Sequence, residues 1–330
     1  MTITIRKIMK ILVTGGTGYI GKSLLGKLTT GTNHDVSGTS RTPPTAPSPA
    51  PLIAVGDCCA TTDWSAALQG VDVVIHVAAH LKTLSSSAHQ RAQLWQTNVE
   101  GTLALARQAL AGGAKRFIFI SSIGVNGSRT TDAPFNERSI PAPEDDYARS
   151  KLEAERGLMA LFEGTAMELV IIRPPLVYAA HAPRNFPRLL KWVASGFPLP
   201  FALINNKRSM IALDNLLDFI TRCIEHPAAA NELFLVSDGA DMSTAQIVCQ
   251  LAASMGDRAR LVPVPDWLMR WVARLVGKYP MYSTLCASLV VDSSKAQQLL
   301  NWTAPLTPSE ALRKSGREYK PHRLSTPLRQ

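Results

Sequence analysis

A glycine-rich turn between a strand and a helix constrains the fold of this chain more than any other feature. TGGTGYIG at residues 14–21 follows the apolar run KILVT and opens a helical segment. Gly15, Gly18 and Gly21 match a G-x-x-G-x-x-G spacing, in which the missing side chains permit a tight turn and close approach of a pyrophosphate. Free N–H groups at the helix N-terminus favour bound phosphate. The turn therefore predicts a dinucleotide site.

Strand-like and helix-like segments alternate through the first 175 residues. Strand-like runs occur at 10–14, 35–40, 52–57, 71–79, 115–121 and 167–173. The last three are almost continuously apolar, which is typical of strands buried on both faces. Helical patterns are found at 19–29, 63–69, 88–111 and 147–162. The alternation predicts an α/β fold with a doubly wound parallel sheet, and the proline-rich stretch 43–51 is expected to be a surface loop.

The pattern changes after residue 175. Helical stretches recur at 214–226, 243–255, 265–276 and 307–318. We expect a dinucleotide-binding domain over 1–175 and a smaller, mostly helical substrate-binding part over 176–330, with some return of the chain to the first domain. Residues 320–330 are expected to be a disordered tail. WLMRWVARLVG at 267–277 has an apolar face with two arginines, which suits either a membrane surface or a core or lid helix.

Composition narrows the class of protein. Hydrophobic residues make up 46% of the chain and charged residues 18%, which is a globular composition. No apolar run approaches the ~18–20 residues of a membrane-spanning helix. The N-terminus lacks the apolar segment of a secretion signal, and Met9 is an alternative start. The five cysteines are scattered without metal-binding spacing, so we expect a reduced, cytoplasmic protein without a metal.

The formal net charge of +10 favours anionic partners. The basic residues are spread and carry no DNA- or RNA-binding motif, so nucleic acid is not predicted. A phosphate-bearing small molecule and a merely solvated basic surface both fit this charge.

The end of the second strand bears on the choice of cofactor. An NAD-binding domain usually has an acid there for the ribose 2′-hydroxyl, whereas this chain has Thr39, Ser40 and Arg41. Arg41 favours the 2′-phosphate of NADP, although it could equally stack on adenine. Asp57, after the third strand, is placed either to accept from the adenine amino group or simply to cap the strand end.

YARSK at 147–151 places a tyrosine and a lysine one helical turn apart. An ammonium close to a phenol stabilises phenolate, so Lys151 makes Tyr147 a usable acid or base for a substrate oxygen. Ser121 and Ser122 follow the fifth strand, at the carboxyl edge where ligands bind in this architecture. Together these residues predict hydride transfer with a nicotinamide cofactor.

With these motifs the chain resembles the extended short-chain dehydrogenase/reductases of the NAD-dependent epimerase/dehydratase family, over essentially its whole length. The matching stretches are TGGTGYIG, VIHVAA at 74–79, NVEGTL at 98–103, FIFISSIGVNG at 117–127, YARSK, IIRPPLVY at 171–178 and NKRSMIALDNLLDFI at 206–220. The resemblance implies a Rossmann-type fold, a nucleotide-diphosphate sugar as substrate and a homodimer. It implies Ser122, Tyr147 and Lys151 as catalytic residues.

The same resemblance implies the contacts of both ligands. The cofactor residues would be Gly15, Gly18, Tyr19, Ile20, Gly21, Arg41, Asp57, Cys58, Ala78, Ala79, Asn98, Tyr147 and Lys151. The sugar nucleotide would contact Ser122, Asn185 and Arg208, where Arg208 matches an arginine that binds the diphosphate. An ion pair with an acid such as Asp214 is the alternative for Arg208.

Two departures affect the substrate. Tyr178 is followed by alanine where the family usually has glycine, and SLVVD at 288–292 keeps Asp292 but lacks the arginine expected to bind uridine. Short motifs resemble a branch that reduces UDP-4-keto-6-deoxy-N-acetylhexosamines in bacterial polysaccharide synthesis. We therefore expect a 4-ketoreductase with NADP or NAD, with NADP preferred. The alternatives are a 4-epimerase with bound NAD and a dinucleotide-sensing protein without turnover.

Overall fold

The computed structural model describes residues 8–80, 87–183 and 185–319. The expected disordered tail at 320–330 lies outside the described residues, as do the first seven positions. Within the described ranges, every helix is too short or too polar to cross a lipid bilayer.

A seven-stranded parallel sheet forms the centre of the molecule, in the order β3-β2-β1-β4-β5-β6-β9. A separate parallel pair joins β7 and β8. The strands are β1 (Lys10–Thr14), β2 (Asp35–Ser40), β3 (Leu52–Ala54), β4 (Val73–His76), β5 (Arg116–Ile120), β6 (Glu168–Arg173), β7 (Leu176–Tyr178), β8 (Met210–Ala212) and β9 (Glu232–Leu235). The predicted α/β class is confirmed.

Helices cover both faces of the sheet and build the C-terminal part. They are α1 (Tyr19–Gly31), α2 (Ser65–Leu68), α3 (Ala88–Trp95), α4 (Thr102–Ala111), α5 (Asp146–Phe162), α6 (Asn185–Ala194), α7 (Leu213–Glu225), α8 (Thr244–Ser254), α9 (Asp266–Leu275), α10 (Tyr279–Cys286), α11 (Ser294–Leu300) and α12 (Pro308–Glu318). The proline-rich stretch between β2 and β3 is a loop, as predicted.

Side-chain alternation along the strands explains the layered core. Successive residues of a strand point to opposite faces of the sheet. Ile11 and Val13 of β1 are therefore buried in one cluster with leucines of α1 and α7. Leu12 is buried in a second cluster on the other face, with residues of α4 and α5. A central strand therefore needs apolar residues at successive positions, as Ile11, Leu12 and Val13 of β1 show.

The strand order places the ligand crevice. β1 pairs with β2 on one side and with β4 on the other, so the order reverses at β1. In open parallel sheets, ligands bind outside the carboxyl ends of the strands at such a switch point. The glycine turn follows β1 directly and therefore lies at this crevice.

Three features differ from the sequence expectations. The helix expected over 88–111 is interrupted by a π-helical segment, Gln96–Gly101, between α3 and α4. The seventh strand of the sheet, β9, comes from Glu232–Leu235, beyond the six strands predicted from sequence. The interpretation of 267–277 as a core helix is wrong, because Trp267 and Trp271 of α9 are both exposed, whereas the lid alternative stays a prediction.

Candidate active site

A cleft of about 700 Å³ lies at the carboxyl edge of the sheet. Most of the residues predicted to bind cofactor or to act in catalysis line it: Gly15, Gly18, Tyr19, Ile20, Gly21, Arg41, Asp57, Cys58, Ala78, Ala79, Ser122, Tyr147 and Lys151. Asn98, Asn185 and Arg208 are not among the residues that line this cleft. The structure thus brings together residues that are up to 136 positions apart in the chain, from Gly15 to Lys151.

The glycine turn is shaped by close backbone contacts. Gly15 has a φ of +68°, which side chains rarely tolerate. A Cβ on Gly21 would lie 2.1 Å from the Gly15 carbonyl oxygen, so α1 can pack against the turn only with glycine there. The N–H of Gly18 donates to the Gly15 carbonyl at 2.9 Å. This arrangement leaves the start of α1 open towards the cleft, where it can receive a phosphate.

Tyr147 and Lys151 lie on one face of α5, whose N-terminus is capped by Asp145. Tyr147 is half-buried and lines the cleft. Lys151 is fully buried, and its Nζ donates to the carbonyl oxygen of Ile120 at 2.8 Å. Burial lowers the pKa of Lys151 to about 8, against an opposing effect of Glu155. Both residues line the same cleft, and the predicted acid–base role requires the lysine cation to act on the phenol there.

The structure separates the two serines that follow β5. The Ser121 hydroxyl is buried and donates to the carboxylate of Glu155. Both serines line the cleft, but the Ser122 Oγ accepts from the N–H of Gly124 at 3.1 Å and keeps its own hydrogen for another acceptor. This geometry favours Ser122 as the serine for a substrate oxygen, and its assignment from the resemblance stays a prediction.

A buried ion pair supports this serine loop. The guanidinium of Arg173 makes two hydrogen bonds to the Glu155 carboxylate, and both side chains are almost fully inaccessible. Arg173 also donates to the side-chain oxygen of Asn126 at 3.0 Å. Through the Ser121 hydroxyl, the pair connects β5, β6 and the catalytic helix α5. Sequence reasoning missed this pair, although a glutamate among apolar helix positions was a possible signal for it.

His76 at the end of β4 joins the cleft wall to the π-helical segment. Thr14 Oγ1 accepts from the N–H groups of Val77 and Ala78, so its own hydrogen points to His76 Nδ1, 2.7 Å away. His76 Nε2 then donates to Thr102 Oγ1 at 2.9 Å. Burial lowers the pKa of His76 to about 3, and this neutral ring fixes the direction of the hydrogen-bond chain.

Asn98 is buried beside the cleft within the π-helical segment. Its Oδ1 accepts from the N–H of His80 at 2.7 Å, and its Nδ2 donates to the His80 carbonyl and to Ser150 Oγ. Ser150 in turn donates to the carbonyl of Tyr147. In this structure Asn98 connects the loop after β4 to the helix that carries Tyr147. Its predicted contact with the cofactor stays a prediction.

Arg41 and Asp57 lie together in the part of the cleft that the sequence predicts to bind adenine. Arg41 Nε and Asp57 Oδ1 are 3.0 Å apart, and both side chains are largely exposed. The guanidinium is therefore accessible to an anionic ligand from solvent. Cys58, next in the chain, is half-buried, and burial raises the pKa of its thiol to about 12, so the thiol stays neutral.

Arg208 lies beside a second cavity of about 410 Å³ in the C-terminal part. Its Nη1 donates to the carbonyl oxygen of Ala287, which lines that cavity, at 3.1 Å. Burial lowers the pKa of the Arg208 guanidinium. The alternative partner Asp214 is 2.7 Å from Lys314 instead, so the ion pair considered for Arg208 is not formed. Asn185 begins α6 and is exposed.

Comparison with known proteins identifies the family. The model of the NAD dependent epimerase/dehydratase family matches residues 11–236, which is more than half of the chain. The chain belongs to this family. A UDP-glucose 4-epimerase of Vibrio cholerae is 41% identical over 318 residues, covering 95% of this chain and 97% of the relative.

More distant relatives and solved structures agree with this assignment. An N-acetyl-α-D-glucosaminyl-diphospho-ditrans,octacis-undecaprenol 4-epimerase of Escherichia coli O157:H7 is 26% identical, covering 78% of this chain and 80% of the relative. The crystal structure of UDP-glucuronic acid 4-epimerase from Bacillus cereus in complex with NAD superposes with a TM-score of 0.73 at 23% identity. It covers 94% of this chain and 98% of that one, which confirms the Rossmann-type fold.

Proposed function

We propose that the protein transfers a hydride at C4 of a nucleotide-activated sugar, with NAD(P) as the hydride carrier. The observation that carries the proposal is the convergence of Ser122, Tyr147 and Lys151 on the same cleft as the glycine turn. A sugar C4 oxygen that receives or loses a proton needs an acid–base within hydrogen-bond reach while the cofactor exchanges the hydride. Tyr147 would move the proton, and Ser122 would hold the oxygen.

The residues of the cleft fit a dinucleotide without rearrangement of the turn. The close approach of Gly15 and Gly21 leaves room for the pyrophosphate at the start of α1. When bound, the nicotinamide supplies or accepts the hydride. This chain's own contribution is to hold the ribose through Lys151, position the substrate oxygen and keep the phenol of Tyr147 acidic enough to exchange its proton.

The sugar nucleotide would lie between the cleft and the second cavity. Arg208 and the cavity residues Arg129 and Arg270 supply cationic groups, and Tyr279 and Tyr282 supply aromatic rings. Guanidinium groups suit a diphosphate, and aromatic rings suit a nucleobase. The relatives named UDP-glucose 4-epimerase support UDP as the nucleotide.

We propose reduction of a UDP-4-keto-6-deoxy-N-acetylhexosamine as the reaction. The exposed Arg41 at the end of β2, where an acid would favour NAD, supports an exchangeable NADP, and a reductase must exchange its cofactor in every cycle. 4-Epimerisation with retained NAD is the second candidate. The 41% identity with the Vibrio cholerae 4-epimerase over almost the full length favours it.

One experiment distinguishes the two reactions. The purified protein is incubated with NADPH or NADH and the 4-keto sugar, and separately with UDP-glucose without reductant, and the products are identified by nuclear magnetic resonance. We expect stoichiometric consumption of reductant with the keto sugar and little formation of UDP-galactose. Rapid UDP-hexose interconversion by protein that purifies with bound NAD would instead establish the epimerase. Failure of both reactions would overturn the proposed function.

The remaining expectations about the protein's surroundings are also proposals. The five cysteines are all free thiols, which supports a reducing compartment such as the cytoplasm. The expected homodimer stays a prediction, which the sedimentation behaviour of the purified protein would test.

A further inference from the structure

Helix α9 turns its apolar side chains towards solvent. Trp267, Trp271 and Leu275 are spaced by four residues and therefore form one stripe along the helix. They are 69%, 57% and 65% exposed. On the opposite side, Ala273 is buried and Met269 packs against the C-terminal core. An amphipathic helix of a globular protein normally buries its apolar stripe, so this orientation needs an explanation.

Neighbouring segments extend the exposed apolar surface. Leu199 and Val262 are joined by backbone hydrogen bonds, and the chain enters α9 four residues after Val262. Phe197 and Leu203, on either side of this paired segment, are both largely exposed. Leu203 and the first residue of α9 line the same cavity. We call the stripe of Trp267, Trp271 and Leu275 the α9 patch.

Cationic residues flank this patch. Arg270 and Arg274 lie on the neighbouring stripe of α9, and Lys278 follows the helix. All three are exposed, and Arg270 is paired with Asp266 at 2.8 Å, so the net positive charge beside the patch comes from Arg274 and Lys278. Exposed tryptophans beside cations on a helix surface are typical of helices that lie in the interface of an anionic membrane. A convex helix of this kind offers no groove for a peptide.

We propose that the α9 patch docks the protein onto an anionic lipid bilayer, with Trp267, Trp271 and Leu275 inserted among the headgroups. The cations beside the patch would attract the lipid phosphates. A second copy of the chain fits less well, because a two-fold contact through this face would bring the arginines and the lysine of both copies together. The inference goes beyond the proposed function and does not depend on it.

Docking would place the bilayer beside the candidate substrate side of the molecule. Asp266 and Arg270 of α9 line the cavity next to Arg208. The patch and that cavity therefore lie on adjacent faces of α9.

Vesicle flotation tests the proposal. The full chain is mixed with phosphatidylcholine vesicles with or without phosphatidylglycerol, for the wild type and the Trp267→Ser/Trp271→Ser variant. We expect binding to the anionic vesicles and a fall of about tenfold or more in the partition coefficient of the double variant. Ile140→Ser is the matched control, because Ile140 is 86% exposed on a different loop, and it should bind like the wild type.

A second variant tests the charge. Arg274→Gln/Lys278→Gln should weaken binding to anionic vesicles by roughly fivefold for each cation removed, and added salt should act in the same direction. Thermal unfolding verifies that each variant is folded. No flotation of the wild type, or undiminished flotation of the tryptophan variant, would overturn the proposal. Self-association in sedimentation equilibrium that the tryptophan variant loses, without vesicle binding, would assign the patch to a second copy.

Discussion

The cofactor side of the cleft and the outer C-terminal part differ in the side chains that they bury and in those that they expose. On the cofactor side, Glu155, Arg173, His76 and Asn98 are buried and hydrogen-bonded. Their bonds support the loop that carries Ser122 and the helix α5 that carries Tyr147. In the C-terminal part, Arg208 is bonded to a main-chain carbonyl, and α9 presents apolar side chains to solvent. The first region is organised before ligands bind, whereas the second presents groups for partners.

This difference predicts where substitutions act. Changes on the cofactor side should affect turnover or the stability of the fold, because their partners are buried there. Changes on the substrate side should affect binding of the sugar nucleotide and leave the fold intact. Measurements of turnover, stability and ligand binding in single variants test whether the two regions differ in this way.

The largest effect is expected at Tyr147. Tyr147→Phe removes the phenol oxygen and keeps the ring, so turnover should fall by about 10² or more, the scale of losing a positioned acid–base. Cofactor affinity and thermal stability should stay close to wild type, because the change is small and the side chain lines the cleft. Steady-state kinetics together with cofactor titration measure both quantities. Near-normal turnover would remove Tyr147 from the mechanism.

Glu155 tests the buried support of the cofactor side. Glu155→Ala leaves the Arg173 guanidinium buried without its carboxylate, which should lower the free energy of unfolding by ~3–5 kcal/mol. Glu153→Ala is the control, because Glu153 lies on the same helix and pairs with Arg156 in a solvent-exposed position. We expect little change for Glu153→Ala. Equal urea midpoints for the two variants would show that the buried pair does not stabilise this side.

Lys151 makes stability depend on pH. Its pKa of about 8 lies below the ordinary value of 10.5, so between these pH values the unfolded chain holds a proton that the native site has released. The contribution of Lys151 to stability therefore rises with pH across this window, by roughly 3 kcal/mol. Lys151→Met should lose this contribution relative to the wild type, whereas Lys22→Met, at an exposed position of α1, should keep it. Urea unfolding at about pH 7.5 and about pH 10.5, near the native and the ordinary pKa of the lysine, measures how the free energy of unfolding changes in each variant.

The features that could be predicted from sequence are those whose signal lies within a few neighbouring residues. The strands through β6 and the glycine turn are encoded within a few residues, and the structure confirms them. β9 is only four residues long, and it pairs with β6, which lies some 60 positions earlier in the chain; Val170, for example, pairs with Glu232. No local sequence pattern predicts such a strand. The same holds for the Glu155–Arg173 pair, whose partners are 18 positions apart in different elements.

The side chains of α9 show the limit most clearly. The periodicity of 267–277 predicts an amphipathic helix, and a helix is present over Asp266–Leu275. The direction in which its apolar face points depends on Met269 and Ala273 packing against the core. Sequence periodicity shows which face of a helix is apolar but not whether that face packs against the core or is exposed to solvent. The interpretation of this segment as a core helix was wrong for that reason.

Arg208 tests the substrate side. Arg208→Ala should raise the Michaelis constant for the sugar nucleotide by about 10-fold to 100-fold, since a charge-assisted contact of ~1.5–3 kcal/mol to the diphosphate would be lost. The Michaelis constant for the dinucleotide should change little. Lys207→Ala, at the exposed neighbouring position, serves as the control. Equal effects on both ligands would assign Arg208 to a structural role and remove the division between the two sides.

The smallest effect is expected at Arg41, where the cofactor side is itself exposed. If Arg41 binds the 2′-phosphate, Arg41→Ala should weaken NADPH binding by about fivefold to tenfold, the lower end for a charge-assisted contact because solvent screens it. NADH lacks that phosphate, so its dissociation constant should hardly change. Asp57→Asn provides the contrast: as an acceptor for the adenine amino group, Asp57 would contribute to the binding of both cofactors. Equal weakening of NADH and NADPH by Arg41→Ala would mean that the guanidinium stacks on adenine, and the argument for an exchangeable NADP would then lose its support.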